Sequence, residues 1–166
     1  MAYRYDMDLI FLSECNDKEL NDLVYWLTHN EKDEKRLTKQ LTKNSLYKKF
    51  YPEHSQYWEE IAAEIQCFGA NTIATIFREG KGVLYKEVLC DVCNKIKVNY
   101  NSNSTVENIE NNLLMKLLTD SIDKMTKQEI RALYSVIGIK DITSVTPQAL
   151  TAAFQFIFQA GGFKSD

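Results

Sequence analysis

Cys90-Asp91-Val92-Cys93 is the stretch whose residue types and spacing point most directly to chemistry. Two thiolates at that spacing can share a zinc ion or act as a redox dithiol. The pair is half of a zinc site, and further ligands would have to come from the isolated Cys15, Cys67, His29 or His54. Helical phase puts Cys93 at the edge of an apolar face and Cys90 outside it, which reads as two ordinary helix cysteines. Cys90 and Cys93 are therefore candidate metal ligands at most. Glu60 and Glu64 stand four apart near His54, a spacing suited to acid–base or metal work. Without a facing carboxylate helix, a solvated helix face accounts for them.

Residues 31–49 hold seven Lys or Arg against three acids. Within that run Lys35, Lys39 and Lys43 fall at helical spacing beside Tyr47, Phe50 and Tyr51. Such a basic patch with aromatics can touch phosphates of nucleic acid or anionic lipid heads, and a solvated helix face explains it equally well. Gly80-Lys81-Gly82 is too short to cradle phosphates in the P-loop manner. The chain has no GxxxxGK[ST], HExxH or GxSxG pattern, and two histidines make a thin supply of general bases. The expectation is a non-catalytic protein without a cofactor.

The 166 residues suffice for one domain, in which folding buries roughly 70% of the surface exposed by the unfolded chain. Six Gly and two Pro are too few for an all-β fold rich in tight turns. A net charge of -3 argues against a globally basic nucleic-acid binder. The first residues lack a basic stretch followed by a long apolar run, so no signal peptide is read there. Four cysteines, three within helical patterns, look like reduced thiols. The expected location is the cytoplasm, extending to the periphery of the inner membrane.

Helical signals recur along the chain. A short helical piece is expected around Asp8 to Cys15. Asn16 with Glu19 forms a capping-box pattern, followed by Leu20, Leu23, Val24 and Leu27 at the spacing of one helix face. Glu34 to Lys43 places Leu37 and Leu41 on one side, and Asn44 to Phe50 adds a turn before Pro52. Ser55 reads as an N-cap for the stripe Trp58, Ile61, Ala62 and Ile65, with Gly69 closing that helix and Asn71 opening a short one. After a turn at Glu79 to Gly82, Val83 to Val98 carries Tyr85, Val88, Leu89, Val92 and Ile96 on a buried face. Residues 101–104 read as a linker. Ser104 with Glu107 then opens a helix of roughly 20 residues, and Thr126 with Glu129 opens another that Gly138 stops.

Thr146-Pro147 begins the last helix, which is unusually apolar. No charge falls between Asp141 and Lys164, and Gln148, Thr151, Gln155 and Gln159 make a narrow polar stripe. From Pro147 to Ala160 such a helix is about 21 Å long at ~1.5 Å per residue, short of a bilayer core of about 30 Å. It reads as a core helix, or as a partner surface built on Phe154, Phe156 and Phe158.

Three strings carry a family likeness: Leu27-Thr28-His29-Asn30-Glu31-Lys32, Ile61 through Gly69, and Gly82-Val83-Leu84-Tyr85 leading to Asp91-Val92. On these the chain resembles the YaaW-like family of bacterial proteins, some of which are described as ubiquinol-cytochrome c chaperone-like. The resemblance implies a cytoplasmic or membrane-peripheral helical module that handles another protein. Cys90 and Cys93 are not part of the family pattern. Members look as though they continue past the equivalent of Gly161-Gly162 into a glycine-rich hydrophobic segment, so the resemblance implies a chain truncated before that segment, whose missing tail would be the membrane-active part and this domain its soluble head.

The expected fold is all-α, a compact bundle of about seven to nine helices in one domain over 1–166, with a subdivision at 99–104. The last helix is expected to be central or interface-forming. The expected function is a protein-interaction or chaperone-like module whose partner is another protein or a second copy, through Phe154, Phe156 and Phe158. The alternative is a membrane-associated effector that meets anionic lipid through Lys35, Lys39 and Lys43.

Overall fold

The computed structural model describes residues 3–36, 40–68, 82–136 and 146–159, and among them the fold is all-α, with one isolated bridge and no strand. The chain divides into two compact units, Met1–Val92 and Cys93–Asp166. The 99–104 stretch lies inside the second of these.

In the first unit, Met7–Ser13 is a 3-10 helix capped by the Asp6 side chain, which accepts the Asp8 N–H at 3.1 Å. Helix α1 spans Asp17–Thr28 and begins with the expected capping box. Asn16 Oδ1 accepts from Lys18 and Glu19, and Glu19 Oε2 accepts the Asn16 N–H at 2.8 Å. Its buried face is Leu20, Val24 and Leu27.

The expected helix from Glu34 does not form at its start. Asn30 Oδ1 accepts the backbone N–H of Lys32 and Glu34, Asp33 takes a positive φ of 61°, and His29 pairs with Lys35 in an antiparallel bridge. A short polar side chain that satisfies nearby backbone donors competes with helix. A 3-10 turn, Leu41–Lys43, leads to α2, Ser45–Phe50, capped by Asn44. Ser55 is not the N-cap of the next helix. It sits within a 3-10 turn, His54–Tyr57, that runs directly into α3, Trp58–Phe68, and its N–H donates to Asp17 Oδ1 at 2.8 Å. The Gly69 stop, the Asn71 helix and the turn through Lys81 lie outside the described residues.

Helix α4 spans Tyr85–Lys95, shorter at both ends than the expected Val83–Val98. Lys97 adopts a positive φ of 60° and the Val98 N–H returns to Cys93 O at 2.8 Å, the backbone pattern of a helix C-terminus. Leu9, Leu12, Leu20, Val24, Leu41, Tyr57, Ile61 and Ala62 form the core of the first unit.

In the second unit, α5 is Val106–Ile122. Its N-cap is Thr105, one residue beyond the expected Ser104, and Thr105 Oγ1 accepts the Asn108 N–H. Helix α6, Lys127–Val136, opens with the expected box: Glu129 Oε2 accepts the Thr126 N–H at 2.7 Å and Thr126 Oγ1 accepts the Glu129 N–H. Helix α7, Pro147–Gln159, packs on α5 and α6. Ile122, Ile130, Tyr134, Leu150 and Phe154 form this unit's core.

Candidate functional site

The 3-10 helix Met7–Ser13 is too apolar to hide all its side chains on one side. Leu9 and Leu12 go into the core, while Met7, Ile10 and Phe11 stay outside, Phe11 being 55% exposed. Between this outer face and the helices behind it lies an open cleft of about 300 Å³. The 3-10 helix supplies Leu9, Phe11 and Leu12 to its wall, and α1 supplies Leu23 and Leu27. Ile65 of α3 with Tyr85 and Val88 of α4 completes the lining. The volume is at the small end for ligand pockets, and the walls carry no converging polar groups of the kind that orient a small molecule. Phe11 is the exposed member of this apolar lining.

A polar knot ties the start of the 3-10 helix to the start of α4. Asp6 is buried, and its carboxylate serves two helix starts at once: Oδ1 accepts the Asp8 N–H, and Oδ2 accepts the Tyr85 N–H at 2.6 Å. Both are amides that the helix itself leaves without a partner. The fully buried Gln66 amide pairs with residue 4 as a neighbouring strand would, accepting the Arg4 N–H at 3.0 Å and donating to Arg4 O at 2.8 Å. Gly82 lies against Gln66, where an added Cβ would stand 2.5 Å from the Gln66 Cβ. Two of the three family-like strings thus meet at Gln66 and Gly82.

The segment that supplies two of the four walls is mostly acidic. Residues 3–28 contain six acids against Arg4 and Lys18. Asp8, Glu14, Glu19 and Asp22 are exposed. Arg4 and Glu87 form a half-exposed ion pair at 3.8 Å, of a kind that contributes little.

The residues singled out by sequence lie elsewhere and do not gather. Cys93 is fully buried and not at the edge of the apolar face as helical phase suggested, while Cys90 is partly exposed. Among the described residues no three His, Cys, Asp or Glu converge as a metal site. Glu64 Oε2 accepts the Leu41 N–H at 2.9 Å, and burial raises its pKa. His54 is buried against the Tyr57 hydroxyl, and burial lowers its pKa. Lys35 sits in the bridge and Lys43 in a 3-10 turn, both exposed, so their helical register is not realised. Lys39 lies outside the described residues. Phe154 is buried in the core of the second unit, Phe156 is 73% exposed on α7, and the Phe158 side chain is outside the described residues.

Sequence reasoning missed the cleft. Its signal was the run Met7-Asp8-Leu9-Ile10-Phe11-Leu12, which has more large apolar side chains than a short helix can bury on one face.

A model described as a domain of unknown function, DUF3944, matches residues 3–37, which take in the 3-10 helix, α1 and the turn after it. A UPF0174 protein of Helicobacter pylori strain J99 is 42% identical over 165 residues, covering 99% of this chain and 65% of that protein. A UPF0174 protein of Helicobacter pylori strain 26695 is 42% identical over 132 residues, 78% of this chain and 63% of the relative. The UPF0174 protein YaaW of Escherichia coli K12 is 37% identical over 129 residues, 76% of this chain and 54% of YaaW. The chain therefore spans somewhat under two thirds of the length of these relatives. No solved structure matches.

Proposed function

Starting from a chain that is YaaW-like and related to the UPF0174 proteins, we propose that it is a non-catalytic helical module that binds another protein, and that the cleft of the first unit is its contact site. The observation that carries this is the cleft itself, about 300 Å³ and walled by apolar side chains from four helical elements beside exposed Phe11. An amphipathic helix laid into a groove presents anchors at i, i+3, i+4 and i+7. Two or three such side chains fill a space of this size. Each apolar side chain removed from water contributes about 1.5–3 kcal/mol before the cost of association.

The test uses a labelled, uncharged Leu/Gln amphipathic peptide and fluorescence anisotropy. Phe11→Asp, at an exposed position, should weaken binding at least about tenfold (about 1.4 kcal/mol) while far-UV circular dichroism is unchanged. Binding that ignores Phe11→Asp and Leu23→Gln alike would remove the cleft from the interaction.

A second reading, contact with anionic lipid, is favoured by the exposed Lys43, Lys48 and Lys49 around exposed Leu46 and Tyr51. Co-sedimentation with anionic vesicles should then fall when these lysines are reversed to Glu, and would be unaltered if the basic segment is only a solvated surface.

A further inference from the structure

We infer that α2 is an acid-released anchor: when His54 takes up a proton, α2 loosens from the first unit and offers its aromatic and basic side chains to an anionic membrane surface. This rests on the second reading above, contact with anionic lipid, and adds what controls that contact. None of the six residues of α2 is buried. Tyr47 and Phe50 lean, half-covered, against the core of the first unit, and the helix packs chiefly on the 3-10 turn that carries His54. Four rings close a circuit there. Between centroids, Tyr47 lies 5.3 Å from Tyr51, Tyr51 5.6 Å from His54, His54 5.7 Å from Tyr57, and Tyr57 5.5 Å from Tyr47. His54 and Tyr57 are buried, whereas Tyr51, the C-cap of α2, is exposed.

An imidazolium in this place would lose its water without a carboxylate bonded to it in exchange. Tyr51 of α2 and Tyr57 of the turn meet the ring with aromatic surface, and the Tyr57 hydroxyl hydrogen-bonds Nδ1. Asp17 of α1 favours the protonated form, yet it already accepts the Ser55 N–H. Glu53 before the turn and Glu59 and Glu60 at the start of α3 are not among the charges that act on the ring. Burial outweighs Asp17, so His54 stays neutral in place until the pH has fallen below its ordinary 6.5. Further acid favours any state in which the imidazole is wet, and the element that gives up least burial on moving is α2. What α2 then presents has the composition of an interfacial anchor. Lys43, Lys48 and Lys49 are already exposed, and Leu46, Tyr47, Phe50 and Tyr51 stand among them in the same short segment.

Co-sedimentation with vesicles of phosphatidylglycerol and phosphatidylcholine, against phosphatidylcholine alone, tests this at about pH 7.5 and about pH 5. A wet imidazole of ordinary pKa favours opening by at most roughly thirtyfold at about pH 5, so binding to the anionic vesicles should tighten about tenfold on acidification. Reversal of Lys48 and Lys49 to Glu should remove that binding. Hydrogen exchange, corrected for its intrinsic pH dependence, should show α2 losing protection about tenfold while α1 keeps its own. His54→Gln, or His54→Phe where the first variant does not fold, should abolish both acid effects with far-UV circular dichroism unchanged. An equal acid gain in the His54 variants overturns the switch, assigns the gain to the protein's falling negative charge, and leaves lipid contact standing. Protection of α2 that holds in acid overturns the switch as well. No preference for anionic vesicles at either pH, or binding indifferent to the lysine reversals, overturns the switch together with the lipid reading.

Discussion

The carboxylate of Asp6 reaches the backbone amide of Tyr85 at 2.6 Å, tying the start of α4 to a residue 79 positions earlier in the chain. Its other oxygen caps the 3-10 helix. Replacing Asp6 with Ala leaves both amides without that acceptor inside the first unit and should cost about 1–3 kcal/mol, read as a shift of the urea midpoint. Arg4→Ala, which breaks only the exposed pair with Glu87, should cost under about 1 kcal/mol. Equal effects from the two would mean that Asp6 is not acting as a double cap.

Gly82→Ala tests the close approach to Gln66. The new Cβ would stand 2.5 Å from the Gln66 Cβ, so one of the two segments must move. Overpacking of this kind costs about 1–3 kcal/mol. A melting temperature equal to that of the parent would show that the two segments separate without cost.

His54 makes stability depend on pH. Burial lowers its pKa in the folded chain, with Asp17 pulling the other way, and the unfolded chain retains the ordinary value of 6.5. Below 6.5 the unfolded chain binds more protons than the folded one, so stability rises with pH through this window and is complete above it. The melting temperature should fall between about pH 7 and pH 5, and His54→Gln should flatten that fall. Asp17 acts lower down: its pKa is held below 3.8 by the Ser55 N–H, so its contribution is present above 3.8 and lost as the pH falls through the lowered value. A slope unchanged by His54→Gln would assign the effect to other groups.

Thiol reactivity should separate the two members of the CxxC. Cys93, with no exposed surface, should resist an aromatic disulfide reagent until the chain is denatured, while the partly exposed Cys90 reacts in the native state. Desolvation raises the pKa of Cys15 and Cys67, which slows both by keeping the thiol protonated. Rapid modification of Cys93 in the folded protein would contradict its placement.

Phe154 and Phe156 should behave as opposites despite lying two residues apart. Truncating the buried Phe154 to Ala should cost about 3–5 kcal/mol. Phe156→Asp, at a 73% exposed position, should change stability by no more than about 0.5 kcal/mol. If Phe156→Asp also lowers self-association measured by sedimentation, that part of α7 contributes to an interface.

What the sequence made legible was local. Asn16 with Glu19, and Thr126 with Glu129, sit three residues apart and satisfy one another's backbone within a single turn, so pattern alone locates those helix starts. Where two hydroxyls stand side by side, as in Ser104-Thr105, the pattern cannot choose, and the cap fell on the second. At Asn30 a side chain captured the backbone and diverted the chain from the helix that the lysine spacing implied. The cleft was out of reach because its wall is assembled from Leu9, Leu23, Ile65 and Val88, on four elements that no spacing rule connects. Asp6 was passed over for the same reason, since half of its role lies at Tyr85.

The separate cores also have an order in time. Leu9 to Ala62 complete the main apolar cluster of the first unit, whereas that of the second needs Leu150 and Phe154 near the far end of the chain. A ribosome adding roughly 5–20 residues per second emits the earlier cluster seconds before the later one can close. Until Leu150 and Phe154 have emerged, Ile122, Ile130 and Tyr134 lack the α7 side chains that cover them in the folded unit.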